Sequence, residues 1–123
     1  MKITTFNPQI ITKDAEPIVQ LFQSLGFEKR HHPEGIGELN VEGIRMKDAN
    51  GFYVDITMPE MELPKDIMVI RMNVDNFEEA YQILEKHGLK NFYGDKIIET
   101  KSFRSAMMIS QTGFAINLIQ HIK

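Results

Sequence analysis

The chain has 123 residues, of which 42% are apolar and 25% charged, and its formal net charge is −3. A chain of this size supports a single domain's core, hiding roughly two-thirds of its unfolded surface. The mild acidity excludes the basic footprint of a nucleic-acid-binding surface, since Lys29-Arg30 is the only adjacent basic pair. Cysteine is absent, which excludes disulfides, thiolate metal sites and a cysteine nucleophile and fits a reducing cytoplasm. Asn7, Pro8, Lys13, Asp14 and Glu16 interrupt the first 25 positions, so no signal peptide is expected. No apolar run approaches the roughly 20 residues that span a bilayer. These features predict a soluble, cytoplasmic protein with neither a membrane nor a nucleic-acid partner.

The first predicted strand is Ile3–Thr12, with Pro8 in a position that suits a strand start or edge. Asp14 can cap a helix over Ala15–Leu25, in which Ile18, Leu21, Phe22 and Leu25 form an apolar stripe. Pro17 lies near its first turn and Gly26 ends it. Three strands follow, at about Glu28–His32, Glu38–Met46 and Phe52–Met58. The proline-flanked, acidic connector Pro59-Glu60-Met61-Glu62-Leu63-Pro64 marks a boundary between modules at about 1–60 and 65–123, within one domain. The order then recurs. Ile67–Val74 reads as a strand, Asp75 or Asn76 as a cap, and Phe77–His87 as a helix with Ala80, Ile83 and Leu84 on one face and Gly88 at its end. Phe92–Tyr93, continued by Ile97–Lys101, then Arg104–Ser110 and Gly113–Gln120 read as the remaining strands.

One offset relates the two halves. Gly51 and Gly113, Gly26 and Gly88, Glu16 and Glu78, Gln20 and Gln82, and Met46 and Met108 all stand 62 positions apart. A shared offset through hairpin, helix and helix stop predicts a tandem βαβββ duplication. Each copy then has a helix against one sheet face, an α+β architecture.

The Ser24-Leu25-Gly26-Phe27 run after the strand–Asp–helix segment, and the terminal hairpin Gly113-Phe114-Ala115-Ile116-Asn117-Leu118, resemble the vicinal oxygen chelate superfamily. That superfamily includes glyoxalase I, bleomycin-resistance proteins and extradiol dioxygenases. The resemblance covers nearly the whole chain. It implies a cupped mixed sheet with the helices outside, a cleft inside, and a homodimer. The cleft would form within one chain or between chains, since the superfamily uses both. Its enzymes hold a divalent metal through the first and last strands of each module. Here the matching positions are Asn7, Asp55, Val69 and Asn117, of which Asp55 alone is a strong ligand for a hard cation. The resemblance therefore implies a lost metal site and no cofactor. A shift of two residues would bring in Gln9, which would help a metal, or Arg71, which would repel it.

Period-two alternation then assigns the faces. With Asp55 and Asn117 in the cleft, Tyr53, Thr57, Ala115 and Ile119 join them, while Phe52, Val54, Ile56, Phe114, Ile116 and Leu118 face the helices. Asn7, Gln9, Ile11, Val69, Arg71 and Asn73 face the cleft from the first strands, and hairpin pairing adds Ala106, Met108 and Arg104. The third strand stays unassigned, because the same pairing turns Arg45 and Lys47 towards the helices. The expected ligand-contacting set is Asn7, Gln9, Tyr53, Asp55, Arg71, Asn73, Arg104, Met108 and Asn117. Arg71 either grips an anionic group of the ligand or pairs with Asp55.

Other residues carry less chemistry. His31 and His32 point to opposite faces of a strand and cannot readily share an ion; His87 suits a helix end, and His121 an exposed position. The eight methionines read as adaptable core filling. No nucleophile elbow or glycine-rich phosphate loop occurs. The expectation is a small-molecule-binding protein of the bleomycin-resistance type without a catalytic metal. The alternatives are a glyoxalase-like lyase or isomerase with altered ligands, and a structural or regulatory dimer whose cleft has closed.

Overall fold

A computed structural model describes residues 1–30, 42–59 and 64–122. The expected His31-His32 pair, the start of the third strand and the centre of the connector lie outside these residues. The described chain is α+β, with nine strands and two ten-residue helices. No helix among the described residues is long and apolar enough to cross a membrane. The chain divides into two compact units, Asn7–Met68 and Met1–Phe6 with Val69–Lys123. The first six residues thus group with the second half, where the Lys2 amide donates to Asp75 Oδ1 at 2.6 Å and the Asp75 amide to the Lys2 carbonyl at 3.1 Å.

The Asn7–Met68 unit holds most of β1 (Ile3–Ile11), then α1 (Ala15–Ser24), β2 (Glu28–Lys29), β3 (Glu42–Lys47) and β4 (Tyr53–Met58). Its strand order is β2-β3-β4-β1, with β1 parallel to β4 and the other pairs antiparallel. Buried Ala15 and Val19, with Ile18 and Phe22 beside them, pack on Ile44, Met46, Val54 and Ile56. That i, i+3, i+4, i+7 spacing is one face of a helix. The face is turned from the expected stripe, leaving Leu21 and Leu25 exposed. Val19, flanked by Ile18 and Phe22, is the better centre of an apolar arc.

The other unit contains β5 (Ile67–Val74, from Val69), α2 (Phe77–Lys86), β6 (Lys90–Asn91), β7 (Ile98–Glu99), β8 (Phe103–Ile109) and β9 (Ala115–His121). Its order is β5-β9-β8-β6, with β5 parallel to β9 and β7 added to β8. Phe77, Ala80, Tyr81 and Leu84 give α2 the same spacing, and Ile83 is exposed. They pack with Met72, Ala106, Met108 and Leu118.

Of the two cap candidates, Asn76 accepts the Glu79 amide at 3.1 Å, while Asp75 is engaged with Lys2. Replacing Asn76 by alanine is expected to lower stability by about 1 kcal/mol, measured by urea unfolding. Asp14→Ala is expected to lose less, because its bond to the Glu16 amide is 3.4 Å long.

Hairpin geometry decides the faces. Between β3 and β4 the chain turns over Asp48–Phe52; the Asp48 amide donates to the Phe52 carbonyl at 3.0 Å, and Asp48 Oδ1 accepts the Asn50 and Phe52 amides at 3.0 and 2.8 Å. This odd-length closure sets Arg45 opposite Asp55 and Lys47 opposite Tyr53. Cross-strand partners share a face, so Arg45 and Lys47 stand with Asp55 and not with the helix. Ser110–Phe114 closes β8 and β9 in the same way, with the Ser110 amide on the Phe114 carbonyl at 2.9 Å. Met107 therefore faces Asn117, while Ala106 and Met108 join Leu118 and Ile116 against α2. Phe52 and Phe114 sit in these turns and are exposed, where alternation alone assigns them to the core.

Candidate functional site

On the sheet face away from α1, the Asn7–Met68 unit gathers Asn7, Gln9, Arg45, Tyr53, Asp55 and Thr57. Tyr-Val-Asp-Ile-Thr-Met of β4 alternates well enough to form a strand, with Val54 and Ile56 in the core. Asp55 is a poor strand residue, and it is only 4% exposed, so its carboxylate needs partners. Asn7 supplies one: its Nδ2 donates to Asp55 Oδ2 at 2.6 Å and to the Pro8 carbonyl at 2.9 Å. Gln9 stands directly across from Asp55 and donates from Nε2 to Thr57 Oγ1 at 2.8 Å. Asn7 and Gln9 are each 7% exposed.

Arg45 completes the group. Its Nη2 donates to Asn7 Oδ1 at 3.4 Å, and its guanidinium carbon lies 4.1 Å from the centre of the Tyr53 ring. Lys47 Nζ approaches the same ring at 5.3 Å. The amide of Asn7 thus stands between a guanidinium and a carboxylate, offering its oxygen to one and its NH2 to the other. Among the described residues this face carries the Asp55 carboxylate beside the Arg45 and Lys47 cations, with Glu28 across from Lys47 at its edge; Asn7, Gln9, Thr57 and the Tyr53 ring suit a small polar molecule.

In the other unit, Arg71 stands across from Asn117 and Asn73 across from Ile119. Arg71 Nε donates to Asn73 Oδ1 at 3.2 Å. Asn73 is buried, and so is Ser105, whose ladder partner is Ile119. Arg71, Asn73 and Asn117 therefore share the face away from α2, as expected. Met108 and Arg104 do not. Met108 is fully buried on the α2 side. Arg104 lies 5.0 Å over the Phe77 ring and pairs with Glu78 at 2.7 Å and Glu99 at 3.2 Å. Both departures follow from the Ser110–Phe114 turn length.

The positions where an enzyme of the resembled superfamily would hold a metal fit a divalent cation poorly. Asp55 already accepts the Asn7 amide, and Asn7 turns its oxygen to a guanidinium. Val69 has no donor, and Asn117 is an amide directly across from the cationic Arg71. Among the described residues, no three His, Asp or Glu side chains come together to hold a metal.

Sequence reasoning placed Asn7, Gln9, Tyr53 and Asp55 on one face but missed Arg45. The signal was present in the two-residue alternation of β3, and the turn length was needed to read it. A separate depression of about 280 Å³ opens beside β2, lined by Gly26, Glu28, Arg30, Lys47, Asp48 and Ala49. Its charges are of both signs and offset one another.

No family model matches the sequence, and no curated protein matches it. The likeness is in structure. A methylmalonyl-CoA epimerase from Mycobacterium tuberculosis is similar with a TM-score of 0.70 at 12% identity, over 98% of this chain and 90% of that one. A glyoxalase/bleomycin resistance protein/dioxygenase superfamily member from Vibrio splendidus is similar with a TM-score of 0.63 at 14% identity, over 97% and 99%. Glyoxalase I from Zea mays is similar with a TM-score of 0.69 at 15% identity, over 97% of this chain but 43% of that one. The chain has the vicinal oxygen chelate fold.

Proposed function

We propose that this chain is a small-molecule-binding protein of the bleomycin-resistance type, holding a small polar or anionic ligand without a catalytic metal. The observation that carries the reading is the bond from Asn7 to Asp55 on a buried sheet face, joined by Gln9, Thr57 and Arg45. A purely structural sheet would cover such a face with apolar side chains, since each buried polar group must find partners. The similar proteins include a Streptomyces coelicolor methylmalonyl-CoA epimerase in complex with 2-nitronate-propionyl-CoA, which supports a small-molecule ligand on this fold. The shared 62-residue offset supports an origin by tandem duplication, and the proposed protein is a homodimer.

Elemental analysis of the purified protein tests the metal part. The expected result is no stoichiometric nickel, zinc, manganese or iron. Asp55→Ala is expected to lower stability by about 1–3 kcal/mol, because it strands the Asn7 donor. Stoichiometric metal that disappears in Asp55→Ala would establish instead the glyoxalase-like lyase or isomerase with altered ligands. A thermal-shift screen tests binding. A ligand at 100 times its dissociation constant adds about 2.7 kcal/mol to native stability. No shift across broad anion and aromatic collections would favour the closed structural or regulatory dimer.

A further inference from the structure

Arg45 has more hydrogen-bonding capacity than its surroundings use. Its guanidinium carries five N–H donors. Among the described residues it makes one hydrogen bond, the 3.4 Å contact to Asn7, and stacks on Tyr53. Its Nε is buried and has no hydrogen-bond partner among the described residues. A buried donor without a partner is costly, and each such group in a native structure calls for an explanation. The neutral amide of Asn7 stands between Arg45 and the Asp55 carboxylate, and among the described residues the guanidinium forms no ion pair. Lys47 adds a second cation at the Tyr53 ring.

We propose that the Nε edge of Arg45 is an oxyanion anchor, so that the ligand of this face carries a carboxylate or phosphate group. This rests on the small-molecule reading above and names its chemical class. The Nε–H and an adjacent Nη–H point in parallel and match two oxygens of either group. The Tyr53 ring holds the guanidinium plane in place by a cation–π contact, so the fork is preorganised before the anion arrives.

The test is a titration of the isotopically labelled protein with sodium acetate, inorganic phosphate and neutral acetamide at constant ionic strength, reading the Arg45 Nε–H resonance and the Asn7 and Gln9 side-chain amides. Acetate or phosphate is expected to shift the Arg45 Nε–H saturably while acetamide leaves it unmoved. The tighter of the two anions identifies a carboxylate or a phosphate ligand. In Arg45→Met, with folding checked by circular dichroism, the amide shifts induced by the anion should weaken by at least about tenfold, the loss expected for one charge-assisted pair. Arg45→Lys should retain part of the affinity. An Arg45 Nε–H that no anion moves, or equal anion affinity in Arg45→Met, overturns the anchor. If a neutral fragment still shifts the Asn7 and Gln9 amides in that case, the ligand site stands and only its anionic class falls. If nothing shifts them, both readings fall together.

Discussion

Replacing Phe77 by alanine is expected to destabilise the protein by about 3–5 kcal/mol, a fall in Tm on the order of 10–20 °C for a chain of this size. Phe77 is the first residue of α2 and is fully buried. Its amide donates to Gln120 Oε1 at 2.7 Å, so the ring enters the core at a point where the helix is tied to β9. Tyr81 lies 5.8 Å from it, centroid to centroid, and the Arg104 guanidinium lies over the Phe77 ring. Alanine would leave a cavity beneath a salt-bridged arginine that cannot collapse inwards without exposing its charge to the core. Phe77→Leu should recover most of the loss, and thermal unfolding of the two variants separates packing from helix propensity. The place 62 positions earlier is Ala15, also buried at the start of α1. The two cores fill the same helix position with side chains of very different size.

Met108→Ala is expected to lower stability by about 2–5 kcal/mol while leaving ligand affinity unchanged, and Met108→Leu to lose less than about 1.5 kcal/mol. Urea unfolding and the anion titration together check it. Met108 is fully buried against α2 and pairs with Ile116 across the hairpin. Its neighbour Met107 faces Asn117 and is half-buried, so Met107→Ala should destabilise distinctly less. A large loss of ligand affinity in Met108→Ala with little loss of stability would return Met108 to the binding face and overturn the hairpin register.

These contrasts show how far alternation carries a face assignment. Along β4, which starts with Tyr53, the cleft set and the core set follow from period two alone, because one hydrophobic side defines the other. Carrying that assignment across a hairpin adds an unknown, the number of residues in the turn. An error of one residue there reverses every face of the next strand. This is why Met108 and Arg104 were expected beside Asn117 and stand behind it, and why Arg45 could not be placed.

Sequence by itself determined the two helices, the strands that flank them, the helix-ending glycines and the α+β class. Each depends on local patterns of apolar spacing, capping and turn residues, which are written within a few positions of the element they specify. It also placed Tyr53 with Asp55, since alternation along one strand is local, while the resemblance to the superfamily put Asn7 and Gln9 on the same face. Only the tertiary structure decided that Arg45 belongs with them, that Asn7 stands between its guanidinium and the Asp55 carboxylate, and that Arg104 is engaged with Phe77, Glu78 and Glu99. The physical reason is that these relations cross between strands or between strand and helix. They are set by turn closure and side-chain reach, quantities that no single strand's pattern contains.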